Sequence, residues 1–334
     1  MKKSILLAVK LLVTAAILFY LFHKAIQNNA FEELKNHPKN WSMFAAALLC
    51  NILAVLMTFF RWQYLARTLG VTMSAKETVR IGLIGFLFNL APFGIVGGDL
   101  IRSLLLFKQI PEKKPQILAS VFVDRIIGIF VMILVGGLAV YLTGFQRLNN
   151  PIAVNTMFTL RLFELGVLIF VILVVFLFMI NVNMFHFLNK IPKVGRFLHK
   201  IIIALMMYRN HMRAVFIAAL MTFPVHILFS TGIWCIAVGI YTTAPSILEH
   251  QILHPVANLT SMIPLPLGPY EYVIDYLYPV FAIPESVPFK SGYGLVIALV
   301  YRLITLLIAC LGTVYYFADR SEIQKVLSDH PAEG

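Results

Sequence analysis

The feature that most restricts the fold of this chain is a series of about six apolar stretches, each near the length that crosses a bilayer. A hydrocarbon core about 30 Å thick needs about 20 apolar residues in an α-helix. The stretches are 5–22, 41–60, 117–142, 162–180, 214–240 and 293–317. Because 60% of the residues are hydrophobic and only 13% are charged, little remains for a water-soluble domain. We therefore predict an all-α polytopic membrane protein with about six full spans.

Two further apolar segments are too short to cross and are interrupted by proline and glycine. The interruptions are Pro92, Gly94, Gly97 and Gly98 in the first segment and Pro264, Pro266, Gly268 and Pro269 in the second. Irregular backbone at membrane depth is tolerated only where it is buried in protein or lines a polar cavity. Broken segments in corresponding positions of two halves are typical of transporter binding sites. We predict two re-entrant helical hairpins that form a weak inverted repeat.

The distribution of positive charge predicts the side from which each hairpin enters. Loops rich in Lys and Arg face the cytoplasm. If both broken segments are re-entrant and the N-terminus is cytoplasmic, most of the 27 lysines and arginines lie in cytoplasmic loops. A full crossing by the first segment would instead place the basic stretches 108–114 and 181–213 outside. We therefore predict hairpins that enter from opposite faces of the cell membrane, with both termini cytoplasmic.

The whole chain, residues 1–334, is predicted to be one transmembrane domain. Its parts are 1–60 with the first two spans, 61–143 with the first hairpin and the following span, 144–248 with two central spans, 249–318 with the second hairpin and the last span, and 319–334 as a cytoplasmic tail. Arg61, Trp62 and Tyr64 are predicted to anchor the second span at the membrane surface. The net charge of +12 is assigned to loops that meet an anionic lipid surface. No basic, aromatic-rich polar segment accompanies that charge, so nucleic acid is not an expected partner.

Charged residues at membrane depth are the strongest candidates for a binding site, because an unpaired charge there is costly. We predict that Arg102, Arg125 and Arg302 hold a phosphate, aided by the N-termini of half-helices that begin near Gly98 and Pro269. The remaining candidates for substrate binding are Asp99, Asp124, Glu271 and Asn89. The alternative is structural: Asp99 with Arg102, and Asp124 with some arginine, would be internal ion pairs that fix the hairpins.

Two pairs of polar residues have the i, i+4 spacing that places them on one helix face. Glu271 and Asp275 are candidates for binding a coupling cation or proton, although acids at a helix N-terminus also complement its dipole. His250 and His254 have the spacing of two zinc ligands, but no third ligand follows at a recognisable spacing. The sequence contains no nucleotide-binding motif and no Ser–His–Asp order. We therefore predict no metal, no cofactor and no catalytic residue.

Three motifs in this chain resemble the flippase-like domain of the lysylphosphatidylglycerol synthases. They are Arg61-Trp62-x-Tyr64-Leu65, then Asn89-x-x-Pro92 to Gly97-Gly98-Asp99 with Arg102, and Val123-Asp124-Arg125-x-x-Gly128. The resemblance covers most of the chain and implies a stand-alone family member without a synthetase domain, with a separate lipid-modifying enzyme as a possible partner. It also implies movement of a phospholipid or lipid-linked headgroup between leaflets. One departure concerns headgroup preference, because Tyr270 occupies a position where the family usually has arginine.

Three functions are compatible with these features. The leading prediction is a lipid translocase, passive or ion-coupled, with a polar cavity at the membrane midplane. The alternative is a membrane-embedded lipid phosphotransferase or glycosyltransferase, or its accessory subunit, in which Asp99, Asp124 and Glu271 would bind Mg²⁺ and a pyrophosphate. A carrier of small ions or amino acids also fits the hairpins, but it explains the three arginines less well.

Overall fold

The computed structural model describes residues 2–36, 38–89, 94–145, 151–179, 194–241, 244–260, 263, 265, 267–281 and 292–318. All the regular structure in these residues is helical. The α-helices are α1 Lys2–Gln27, α2 Ala30–Asn36, α3 Trp41–Thr68, α4 Ala75–Phe88, α5 Gly94–Gln109, α6 Lys114–Thr143, α7 Pro151–Met179, α8 Val194–Met207, α9 Met212–Ile240, α10 Ile247–Leu259, α11 Pro269–Leu277 and α12 Tyr293–Ala318.

Four of these helical segments are long and apolar enough to cross a membrane. They are Trp41–Thr68, Pro111–Thr143, Arg209–Ile240 and Tyr293–Ala318, which contain α3, α6, α9 and α12. They confirm the prediction of an all-helical membrane protein. The other two predicted spans lie in α1 and α7, which are helices of 26 and 29 residues. A total of six spans stays a prediction.

The helix order long, short, short, long occurs twice along the chain. The first set is α3 to α6, and the second set is α9 to α12. The two sets interlock: α3 packs along α9, α4 packs on α12, and α10 packs on α6. Within each set, the second short helix packs on the long helix that follows it, α5 on α6 and α11 on α12. The short helices therefore pack against long ones.

The first short helix of each set begins with the same local sequence, Ser-x-x-Glu. The Ser74 hydroxyl accepts a hydrogen bond from the backbone N–H of Glu77 at 3.1 Å, which starts α4. In α10, Ser246 accepts from Glu249 N–H at 3.2 Å, and the Glu249 carboxylate accepts from Ser246 N–H. This is the capping box, which satisfies backbone donors at a helix start. Asp99 follows Ser74 at the same distance along the chain as Glu271 follows Ser246.

The glycines of the first broken segment lie inside a helix, which differs from the prediction. Gly94, Gly97 and Gly98 all belong to α5, so the helix begins earlier than the predicted start near Gly98. These glycines allow close packing, because a Cβ atom on Gly98 would overlap the carbonyl oxygen of Gly85 in α4. Small residues let two helix backbones approach closely. Pro92 lies outside the described residues.

The second broken segment keeps part of its predicted geometry within the described residues. Gly268 precedes α11 with φ +109°, a conformation open to glycine, and Pro269 is the first residue of the helix. Pro264 and Pro266 lie outside the described residues. The chain therefore enters α11 through a turn that depends on Gly268.

Candidate functional site

A cavity of about 220 Å³ lies where the two helix sets meet. Each of the eight helices α3–α6 and α9–α12 contributes at least one residue to its wall. The apolar lining residues are Val55, Phe59, Phe86 and Phe229. The polar ones are Thr58, Asn89, Arg102, Arg125, His254, Asn258, Tyr270, Tyr301, Arg302 and Thr305. Four predicted site residues, the three arginines and Asn89, thus share one cavity.

The first charge cluster joins α5 to α6. Arg125 donates from Nε to Asp99 Oδ2 and from Nη2 to Asp99 Oδ1, both at 2.6 Å. Arg102 Nη2 donates to the same Oδ1 atom. The side chain of Arg125 is 34% exposed, whereas that of Arg102 is almost fully buried. One carboxylate therefore serves two guanidinium groups, which leaves one positive charge in excess.

The side chain of Arg102 packs closely against residues of α3 and α4. Its aliphatic chain passes Gly85 so closely that a Cβ atom there would lie 2.5 Å from Arg102 Cγ. Its guanidinium lies 5.2 Å from the ring of Trp62, within the range of a cation–π interaction. Its Nε is buried and has no hydrogen-bond partner among the described residues. A buried donor without an acceptor is costly, so this atom is poised to receive one.

The second charge cluster joins α11 to α12. Arg302 Nε donates to Glu271 Oε1 at 2.7 Å, and the backbone N–H of Gly268 donates to Glu271 Oε2 at 2.7 Å. Glu271 is 0% exposed, so this carboxylate both holds the arginine and completes the start of α11. The Arg302 side chain is 29% exposed. Its guanidinium lies 5.5 Å from the ring of Tyr270. This pair is electrically balanced.

An aromatic wall surrounds the second cluster. The rings of Tyr270 and Tyr301 stack at 5.6 Å, and both approach the ring of His254. The Tyr270 hydroxyl and His254 Nδ1 are hydrogen-bonded at 3.1 Å. The other ring nitrogen, His254 Nε2, is buried and has no partner within the described part of the chain. His254 thus presents a single unused polar atom.

The two histidines with zinc-ligand spacing have different roles. His250 uses both ring nitrogens, one toward the Ser246 carbonyl at 2.9 Å and the other toward the Tyr278 hydroxyl at 2.7 Å. His254 lines the cavity instead. Among the described residues, no group of three His, Cys, Asp or Glu side chains is placed to hold a metal ion.

Asp124 does not line the cavity, although the sequence predicts it as a substrate ligand. It accepts from Arg61 Nε at 2.7 Å, and Arg61 Nη1 donates to the Thr222 hydroxyl at 2.8 Å. Arg61 and Trp62 are buried, so the prediction that they form an exposed interface anchor is wrong. The reason is that Arg61 forms an ion pair with Asp124 on α6, and the ring of Trp62 contacts the guanidinium of Arg102. Arg61, held by Asp124, therefore connects α3, α6 and α9.

Asp275, the predicted coupling residue, holds the start of α12. Its Oδ1 atom accepts from the backbone N–H groups of Gly292 at 2.6 Å and Leu295 at 3.1 Å. Asp275 is buried, and Gly294 packs directly on its backbone. A carboxylate in this position satisfies N–H groups that have no partner within the helix.

Removing the Asp275 carboxylate therefore tests its role. Asp275→Ala is expected to lower the free energy of unfolding by about 1–3 kcal/mol, because it leaves buried N–H donors without an acceptor. Asp275→Asn keeps an acceptor oxygen and is expected to retain most of the stability. Thermal unfolding in detergent measures both variants. Full stability in Asp275→Asn together with loss of transport would show that the charge acts in coupling instead.

Several site residues were missed by sequence reasoning. Tyr301, Asn258, Thr58 and Thr305 line the cavity, and Trp62 supports Arg102. Tyr270, which the family resemblance singles out, lines the cavity as well. One signal was available: Asn258 lies before the second break, as Asn89 lies before the first. Aromatic residues within apolar helices carry no such signal, because most of them pack in the interior or face lipid.

The fold and the site together define an all-helical membrane protein with a charged internal cavity between two similar sets of four helices. Residues 7–312 match the family model described as the lysylphosphatidylglycerol synthase TM region, and the chain belongs to that family. No curated protein sequence matches the chain.

Proposed function

We propose that this protein is a lipid translocase, which moves the headgroup of a phospholipid or lipid-linked substrate between leaflets through the cavity. The observation that carries the proposal is the set of three arginines that line the cavity, held by two carboxylates. Arginine binds phosphate with paired hydrogen bonds, and such contacts are about twice as strong as neutral ones. The acyl chains would stay in the bilayer while the headgroup crosses.

The arrangement of the short helices supports the same proposal. Each half of the cavity has one short-helix pair, and the first helix of each pair packs on the last long helix of the other half. If the pairs are re-entrant hairpins from opposite faces, their broken ends meet near the midplane. In transporters with such repeats, access alternates when one repeat rocks against the other. We further propose that the protein lies in the cell membrane and, on the positive-inside rule, that both termini face the cytoplasm.

The enzyme alternative has less support from the site. Its metal would need free carboxylates, but Asp99, Asp124 and Glu271 each accept hydrogen bonds from an arginine. Binding Mg²⁺ would break these pairs and leave buried guanidinium groups unbalanced, which is costly. A separate lipid-modifying enzyme remains compatible as a partner, since the family name refers to the synthesis of lysylphosphatidylglycerol.

Reconstitution into vesicles tests the proposal. Tail-labelled fluorescent phosphatidylglycerol is distributed over both leaflets, and an external membrane-impermeant quencher reports how fast the inner pool becomes reachable. The wild type is expected to expose the inner pool, and Arg302→Gln is expected to slow it roughly tenfold or more, since it removes a charged donor from the cavity.

The matched control is Arg161→Gln, because Arg161 lies on α7 with a 70% exposed side chain and does not line the cavity. It is expected to translocate at the wild-type rate. Equal quenching in wild-type and protein-free vesicles would contradict the proposal.

A further inference from the structure

We infer that the lipid moved through the cavity carries one negative charge, on a phosphodiester, and a small uncharged headgroup with hydroxyl groups. This inference rests on the proposed function and specifies its substrate. It follows from three features of the cavity: the charge balance of each cluster, the chemistry of the aromatic wall, and the size.

The charge balance of the cavity favours a ligand with a single negative charge. At the first cluster, Arg102 and Arg125 face one carboxylate, Asp99, which leaves an excess of one positive charge. At the second cluster, Arg302 and Glu271 cancel. The remaining polar wall residues are uncharged, taking histidine as neutral. A phosphodiester has one negative charge, so it balances the cavity, whereas a lipid diphosphate would leave negative charge uncompensated.

The place of the excess charge also orients the ligand. Arg102 Nε is buried without a partner, and Arg125 is partly exposed toward the cavity. The phosphate therefore lies at the first cluster, where two guanidinium groups can donate to its oxygens. The rest of the headgroup then faces the second cluster, across the cavity.

The second cluster is suited to hydroxyl groups. His254 Nε2 has no partner within the described residues, and its role as donor or acceptor depends on which way the Tyr270 hydroxyl bond runs. A hydroxyl group both donates and accepts, so it satisfies this nitrogen in either tautomer. The terminal amino groups of Arg302 make no hydrogen bond to the described residues and can donate to the same group.

An ammonium group is disfavoured in the same position. It would lie beside the Arg302 guanidinium, and the face of Tyr270 already carries that guanidinium at 5.5 Å. Glu271 cannot compensate, because it is fully buried and its two oxygens accept from Arg302 and from Gly268 N–H. Like charges at close range repel strongly where solvent screening is weak. Aminoacylated and amine-bearing headgroups therefore fit this wall poorly.

The cavity volume restricts the headgroup further. Pockets for drug-sized ligands measure about 300–1,000 Å³. This cavity is smaller, at about 220 Å³. It therefore suits a phosphate with a short polyol such as glycerol better than a phosphate with a disaccharide.

The test compares three tail-labelled lipids in the vesicle assay: phosphatidylglycerol, phosphatidylethanolamine and lysylphosphatidylglycerol. The wild type is expected to move phosphatidylglycerol at least tenfold faster than either amine-bearing lipid. A rate for phosphatidylethanolamine or lysylphosphatidylglycerol that equals or exceeds it would overturn the inference and leave the proposed function standing. No movement of any of the three would overturn both.

Arg102→Gln provides a second measurement, because it removes the excess charge and leaves a cavity that is neutral overall, which no longer favours the anionic phosphatidylglycerol over the zwitterionic phosphatidylethanolamine. The rate ratio of phosphatidylglycerol to phosphatidylethanolamine is expected to fall at least tenfold, while Arg161→Gln keeps the wild-type ratio. An unchanged ratio in a folded Arg102→Gln protein would overturn the inference. Soluble glycerophosphoglycerol, which has the same headgroup chemistry, separates a lipid from a free phosphodiester: its uptake into the vesicles would show that the substrate is a solute.

Discussion

Replacing Asp124 with leucine is expected to lower the free energy of unfolding by about 3–5 kcal/mol, because it leaves the buried guanidinium of Arg61 without its carboxylate. Arg61 also donates to Thr222, so the loss loosens contacts among α3, α6 and α9. Equilibrium unfolding in mixed micelles with increasing SDS measures the change.

Two variants serve as controls for Asp124→Leu. The double variant Arg61→Met, Asp124→Leu removes both charges and is expected to recover most of the lost stability, since apolar replacements of a buried pair are often neutral. Glu164→Gln breaks a mostly exposed pair with Arg161 and is expected to cost at most about 1 kcal/mol. A stable Asp124→Leu protein without transport would instead place Asp124 on the substrate path, as the sequence predicts.

Asp124 and Arg125 show what a sequence can and cannot predict about this site. Both were predicted as ligands because charged residues at membrane depth are usually functional or paired. Consecutive residues point about 100° apart on a helix, so one faces the cavity and the other faces α3. Only the packing of the helices determines which of the two residues faces the cavity. The partner of Asp124 is Arg61, which lies in a different helix, far away in sequence. Pairing over such a distance has no local signal.

The two broken segments also show which features the sequence predicts and which it does not. The helical class and the apolar spans of α3, α6, α9 and α12 follow from length and composition, and they are confirmed. The sequence predicts that the glycines of the first segment break the helix, but glycine also lets helices pack closely. In α5 glycine allows close packing, because Gly98 lies against the Gly85 carbonyl. The sequence alone does not predict that Gly85 lies beside Gly98.

Replacing Arg125 with glutamine is expected to slow phosphatidylglycerol translocation roughly 10- to 100-fold, since a hydrogen bond to a charged group contributes about 1.5–3 kcal/mol. Arg125 is the more exposed member of the first cluster, so its side chain is the more accessible of the two to a phosphate in the cavity. The vesicle assay with the external quencher measures the rate. Thermal unfolding of the same preparation separates a loss of transport from a loss of folding.

Arg125→Lys distinguishes charge from geometry at this position. Lysine keeps the positive charge but lacks the planar fork that lets Arg125 contact both oxygens of Asp99 and still offer an unused amino group to a phosphate. We therefore expect a translocation rate between those of the wild type and Arg125→Gln. A wild-type rate in Arg125→Lys would mean that only charge matters, and a wild-type rate in a folded Arg125→Gln protein would contradict a phosphate site at the first cluster. Asp99 also pairs with Arg102, so a change at Arg125 affects both arginines of the first cluster. The lipid preference of the Arg102→Gln protein is therefore measured together with the Arg125 variants.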